Sequence, residues 1–98
     1  MKAVEVSGRF VKGKEPVAGT ISFMPSRGWI TEGGTTWAVL APTVELDELG
    51  RFRVLLSRTD TNNLDWEYTL HSPMGQLTFK VETDGPVSLK KLVNKRFA

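Results

Sequence analysis

The chain has 98 residues, enough for one domain with a single core and too few for two domains joined by a linker. It holds no cysteine and one histidine, which excludes disulfides, thiol chemistry and metal sites built from thiolates or paired imidazoles. The formal net charge of +2 is unevenly spread, with basic ends (Lys2, Arg9, Lys12 and Lys14; Lys90, Lys91, Lys95 and Arg96) around an acidic middle, which does not amount to a polyanion-binding surface.

Met1-Lys2 leads directly into the alternation Ala3-Val-Glu-Val6, with no apolar block ahead of a small-residue cleavage site. Neither a secretory signal nor a membrane span of ~20 apolar residues is expected. Val4, Val6 and Phe10 share one parity and Glu5, Ser7 and Arg9 the other, the period of a half-buried strand. Lys12-Gly-Lys-Glu-Pro16 is a turn, after which Ile21 and Phe23 resume the alternation. Residues 25–36 read as a long loop with its flexible point at Gly33-Gly34. Trp29 and Ile30 on this loop are candidate anchors for a partner, since aromatic residues concentrate at binding hot spots; for Trp29, folding back to plug the end of the domain is the equal alternative. Trp37, beside Ala38-Val39-Leu40, reads as the start of a strand and partly core.

Val44 and Leu46, then Phe52 and Val54, alternate on either side of Asp47-Glu-Leu-Gly50, and this predicts two strands joined as a hairpin. Residues 59–65 form a second loop. Its Asp60-Thr-Asn-Asn-Leu-Asp65 does not match a calcium loop, and Asn and Asp favour turns through their own backbone hydrogen bonds, so a turn is expected. Trp66, Tyr68 and Leu70 alternate with polar residues, as do Leu77, Phe79 and Val81 after the turn Ser72-Pro-Met-Gly75. His71 falls on the outer face of its strand, with no second histidine to share a metal.

Short amphipathic strands at this spacing predict an all-β, antiparallel two-sheet sandwich of about seven strands, prealbumin- or immunoglobulin-like. Its core is expected to comprise Val4, Val6, Phe10, Ile21, Phe23, Val44, Leu46, Phe52, Val54, Trp66, Tyr68, Leu70, Leu77, Phe79 and Val81. The sandwich is assigned to residues 1–88 and a basic C-terminal tail to 89–98, where Leu89-Lys-Lys-Leu-Val93 has the spacing of one amphipathic helical turn. That tail is either a frayed terminus or a docking arm, with Leu92, Val93 and Phe97 as apolar anchors among Lys90, Lys91, Lys95 and Arg96. No nucleophile–base set, phosphate loop or metal-ligand spacing occurs, so neither catalysis nor a cofactor is expected.

Ser7-Gly-Arg-Phe10, Pro16-Val-Ala-Gly-Thr-Ile-Ser-Phe-Met-Pro25, Leu46-Asp-x-x-Gly-Arg-Phe-Arg-Val54 and Trp66-Glu-Tyr68 occur in series, and Pro86-Val-Ser-Leu-Lys-Lys-Leu92 closes the pattern. The series resembles the N-terminal β-sandwich domain of minor tail proteins from actinobacterial tailed phages, over nearly the whole chain. The resemblance implies a transthyretin-like or carboxypeptidase-regulatory-like sandwich without catalytic residues. It also implies a virion structural role, with other tail or baseplate proteins as partners and a homo-oligomeric arrangement in the particle; nucleic acid and membrane are not expected as partners, since no strand face interleaves aromatics with basic residues and no apolar run is long enough to span. Longer members of that family continue into fibre-like segments whereas this sequence ends at Ala98, so a small adaptor or decorating subunit is the expectation. The alternatives are a capsid decoration protein and a carbohydrate-binding module that uses Trp29 and Trp37.

Overall fold

The computed structural model describes residues 3–60 and 64–97, with side chains as far as Val93. Among the described residues, eleven strands and one helix follow in the order β1 (Ala3–Arg9), β2 (Val11–Lys12), β3 (Glu15–Pro16), β4 (Thr20–Pro25), β5 (Trp29–Glu32), β6 (Thr35–Ala38), β7 (Thr43–Glu45), β8 (Arg51–Ser57), β9 (Tyr68–Ser72), β10 (Gly75–Phe79), β11 (Val87–Ser88) and α1 (Leu89–Phe97). A three-stranded sheet runs β11-β1-β8 and a four-stranded sheet β10-β9-β4-β7, while β2-β3 and β5-β6 are separate two-stranded hairpins. The fold is an all-β sandwich, as the alternating pattern predicts. One pairing departs from the antiparallel expectation: β11 lies parallel to β1, with Val6 opposite Val87.

Alternation decides which face of each strand is dry. Val4 and Val6 of β1 and Phe52, Val54 and Leu56 of β8 meet Ile21, Phe23, Tyr68, Leu70 and Phe79 of the other sheet. Phe52 and Phe23 touch across the two layers with ring centroids 5.7 Å apart, and Phe23 then meets Phe79 edge-on at 6.2 Å. Such arrangements suit aromatic quadrupoles and add about 0.5–1.5 kcal/mol per pair beyond the area buried. Every expected core residue is buried or packs at the core's margin, and Ile30, Val39, Leu56, Leu89 and Leu92 join them.

Three expectations are corrected. The Val44–Val54 segment is an arch between sheets and not a hairpin: β7 pairs with β4, while β8 pairs with β1 from Ala3↔Ser57 to Arg9↔Arg51. Asp47 holds the bend, its Oδ1 accepting the N–H of Leu49 (2.9 Å) and of Arg51 (2.8 Å). Beyond the bend the arms diverge, because the Leu46 N–H donates to the Gly19 carbonyl while the Gly50 carbonyl accepts from Phe10. Gly50 sits at φ 78°, and a Cβ there would fall 2.3 Å from the Phe10 carbonyl oxygen, so no other residue fits without displacing backbone. The second correction concerns the loop expected over residues 25–36: Trp29–Ala38 is the hairpin β5-β6, turning at Gly33 (φ 57°) and Gly34 (φ 81°). Positive φ at both central residues is what a type I′ hairpin turn requires. The third concerns the C-terminal segment: α1 begins inside the body, with Leu89 and Leu92 buried in the same core as the strands.

One buried polar chain ties the layers together. The Tyr68 hydroxyl accepts the Ser57 N–H at 2.9 Å and donates to the Leu40 carbonyl at 2.8 Å, while the Leu40 N–H donates to Ser57 Oγ at 3.2 Å. Burial also pushes the phenol of Tyr68 above its ordinary pKa. Tyr68→Phe removes both bonds and leaves the buried Ser57 N–H without a partner, along with the part-buried Leu40 carbonyl, which costs about 1–3 kcal/mol. The urea midpoint is expected to fall accordingly with an unchanged m-value; an unchanged midpoint would show that the hydroxyl carries no stability.

Candidate functional site

Arg58, Asp60, Asp84, Lys80 and Asp65 are taken up in structural ion pairs. Arg58 grips Asp60 with two nitrogens (3.0 and 2.7 Å), reaches Asp84 at 2.7 Å and donates to the Glu82 carbonyl, which fastens the segment after β8 to the segment after β10. The same segments are joined inside by Thr59, whose N–H donates to the Val81 carbonyl (2.8 Å) and whose Oγ1 accepts the Val81 N–H (3.0 Å). Lys80 bonds Asp65, and that bond lifts the lysine above its ordinary pKa. Both end carboxylates of the loop considered for calcium are therefore engaged by cations; Thr61, Asn62 and Asn63 lie outside the described residues. Among the described residues no group of His, Asp and Glu gathers in a way that could hold a metal ion, and no helix is long and apolar enough to cross a membrane. His71 stands on the outer face of β9, opposite Ser22 and Gln76.

What remains is surface for a partner. The β5-β6 hairpin is held at its root by the Val39 N–H to the Gly28 carbonyl (3.0 Å) and by Ser26, which exchanges bonds with Glu67 (2.8 and 2.9 Å). Ile30, expected as a surface anchor, is only 1% exposed and is the hairpin's plug into the core. Trp29, next to it, alternates to the other face and is 67% exposed. Trp37 lies opposite Ile30 in the ladder and is 40% exposed, so the two tryptophans stand on opposite faces of the hairpin. A sugar platform made from both is not available.

The basic segment divides in the same way. Leu92, expected as a docking anchor, is buried against the sheets, while Lys90 and Lys91 are exposed. Both lysines sit in the first turn of α1, where no acidic residue complements the helix dipole. Lys90 lines a groove of about 1040 Å³ with Arg9, Arg51 and Arg53 on its rim and Phe52 and Leu89 in its wall. Lys91 lines a second groove, of about 710 Å³, with Glu67, Lys80 and Glu82. The helix backbone runs on through Phe97, but the side chains of Lys95, Arg96 and Phe97 lie outside the described residues. Sequence reasoning missed the arginines of β1 and β8, although the run Arg51-Phe-Arg53 carries the signal, since alternation puts both guanidinium groups on one face.

No protein-family model matches the chain, and no curated protein sequence does.

The Arg58 clamp has a pH signature. The bond from Arg58 holds the Asp60 carboxyl below its ordinary pKa, and Asp47 is lowered by the backbone N–H of Arg51. A carboxylate depressed in the folded state stabilises it above the unfolded pKa, and that contribution disappears as pH falls through the folded value. The urea midpoint is expected to be flat from neutrality to roughly pH 5 and to fall below the ordinary aspartate pKa of about 3.9. Arg58→Met returns Asp60 toward its ordinary value and makes that acid decline shallower; an identical decline in the variant would remove the clamp from the account.

Proposed function

We propose that this chain is a non-enzymatic packing subunit and, on its resemblance to minor tail domains, a small tail or baseplate component of a tailed-phage virion. The observation that carries the packing reading is Trp29. A large aromatic 67% exposed on a short hairpin costs solubility unless something covers it, and its neighbour Ile30 fixes the hairpin to the core. The indole is thus presented from a rigid base, so little conformational entropy is lost when a partner closes over it. Lys90 and Lys91 add exposed cations that steer an acidic partner surface, a contribution that salt weakens.

Two measurements on particles made by the protein's source test this. Immunogold labelling with antibody to the purified domain is expected to mark the tail end; gold over the head, or absence of the protein from purified particles, overturns the tail assignment. Trp29→Ala is expected to leave the urea midpoint within about 0.5 kcal/mol of the parent, as a surface substitution does. Incorporation into particles is expected to fall roughly tenfold or more, as at a hot spot. Normal incorporation of the Trp29→Ala protein overturns the role given to the indole.

A further inference from the structure

Strand β8 lies at the edge of the three-stranded sheet. In an antiparallel ladder successive residues turn their backbone groups alternately toward and away from the neighbouring strand. The Arg51 N–H goes to Asp47 Oδ1 and the Ser57 N–H to the Tyr68 hydroxyl, so odd-numbered residues of β8 turn away from β1. Arg53 and Leu55 therefore point their N–H and C=O groups outward, between two ends that are closed by Asp47 and Tyr68. Among the described residues nothing takes up these groups.

The charged side chains around this opening are more often cations than acids. On the outer face of the sheet Arg9 lies directly opposite Arg51, and Ser7 opposite Arg53. These are the closer, non-hydrogen-bonded pairs of the ladder, where two like charges face to face are destabilising. The acids nearby offset them only in part: Asp47 bonds Arg51 at 3.0 Å, and Glu5 comes within 3.7 Å of Arg53, whose side chain is 76% exposed. Leu55 continues the same face, 55% exposed. Lys90 brings a further cation to the groove shared with Arg9, Arg51 and Arg53, against Glu45 and Asp47.

We propose that the open edge of β8 at Arg53 and Leu55 accepts an acidic extended segment of a partner protein, added antiparallel as the next strand of this sheet. Read along the partner, the segment carries an apolar residue opposite Leu55 and a carboxylate two residues later opposite Arg53; a second carboxylate two residues further on lies past the end that Asp47 closes and adds charge toward Arg51 without joining the ladder. Backbone bonds supply affinity and the alternate side chains supply selectivity, as in other strand additions. A second copy of the chain is a poor occupant. The register that uses both open residues on each copy sets Arg53 one diagonal step from the other copy's Arg53 and doubles the positive charge of one face. This inference stands whether or not the partner belongs to a virion, because it rests on the edge and its charge alone.

The test uses the full chain and a threonine-rich decapeptide containing Leu-Thr-Glu-Thr-Glu, with a control in which both glutamates are lysines. Amide hydrogen exchange followed by NMR is expected to slow at Arg53 and Leu55 with the acidic peptide and not with the lysine peptide. Arg53→Glu, at an exposed position that leaves the fold intact, is expected to weaken the acidic peptide roughly tenfold and to admit the lysine peptide. Equal binding of the two peptides, or protection at other amides only, overturns the proposal. Protection of Arg53 and Leu55 that grows with protein concentration in the absence of peptide also overturns it, in favour of self-association.

Discussion

Burying a tyrosine between two sheets removes its hydroxyl from water, and the structure answers with two bonds whose partners come from different elements. The Ser57 N–H lies at the end of β8 and the Leu40 carbonyl lies at the exit of the β5-β6 hairpin, while Tyr68 itself opens β9 in the opposite sheet. One oxygen thus sets the spacing of the layers, the position of the hairpin root and the point at which β8 stops offering its edge. The ring contributes as well, stacking on Phe79 at 6.0 Å and tilting against Trp66 at 5.4 Å. A phenylalanine would keep the apolar contacts and lose the registration.

Both surfaces proposed for partners depend on that registration. The hairpin owes its fixed direction to Ile30 and Val39 in the core and to the Leu40–Ser57–Tyr68 chain behind them, and this turns Trp29 from a mobile apolar residue into a presented one. At β8 the same chain covers one end of the edge and the Asp47 bend covers the other, which leaves a short opening and not a full-length unpaired strand. Short, charged edges are how soluble sandwiches avoid indiscriminate pairing. Here arginine is that charge, so the device that discourages self-association also states what kind of strand is accepted.

Strand parity was legible because each major strand is dry on one face only. Val4-Glu-Val6, Ile21-Ser-Phe23, Phe52-Arg-Val54 and Tyr68-Thr-Leu70 each carry their burial in two-residue steps, and the core follows from them. The bend at Asp47–Gly50 was legible as a bend but not as an arch. A hairpin and an arch share the same turn residues and flanking alternation, and only distant partners, the carbonyl of Gly19 and the N–H of Phe10, separate them. The β5-β6 hairpin was hidden for a different reason. Gly33-Gly34 is a strong hairpin turn, but the strands beside it carry three threonines and a glutamate and bury little besides Ile30, so the apolar period is weak. In α1, lysines around Leu89, Leu92 and Val93 made a packed helix resemble a solvated tail.

The candidate site was legible only where exposure follows from local pattern. Trp29 beside Ile30 in a strand must face away from it, so once the hairpin is recognised the exposure of one follows from the burial of the other. The arginine face needed more, because Arg9 and Arg51 are distant in sequence and become neighbours only through the β1-β8 register. Net charge conceals them too. Asp60 and Asp84 converge on the single guanidinium of Arg58 at one place in the molecule, while Arg9, Arg51, Arg53 and Lys90 gather at another with Glu45 and Asp47 among them. A chain close to neutral overall therefore carries a locally positive strand edge. Segregation of this kind has its largest effect over about a Debye length of 8 Å at physiological ionic strength, the range over which an approaching strand first feels the edge it will pair with.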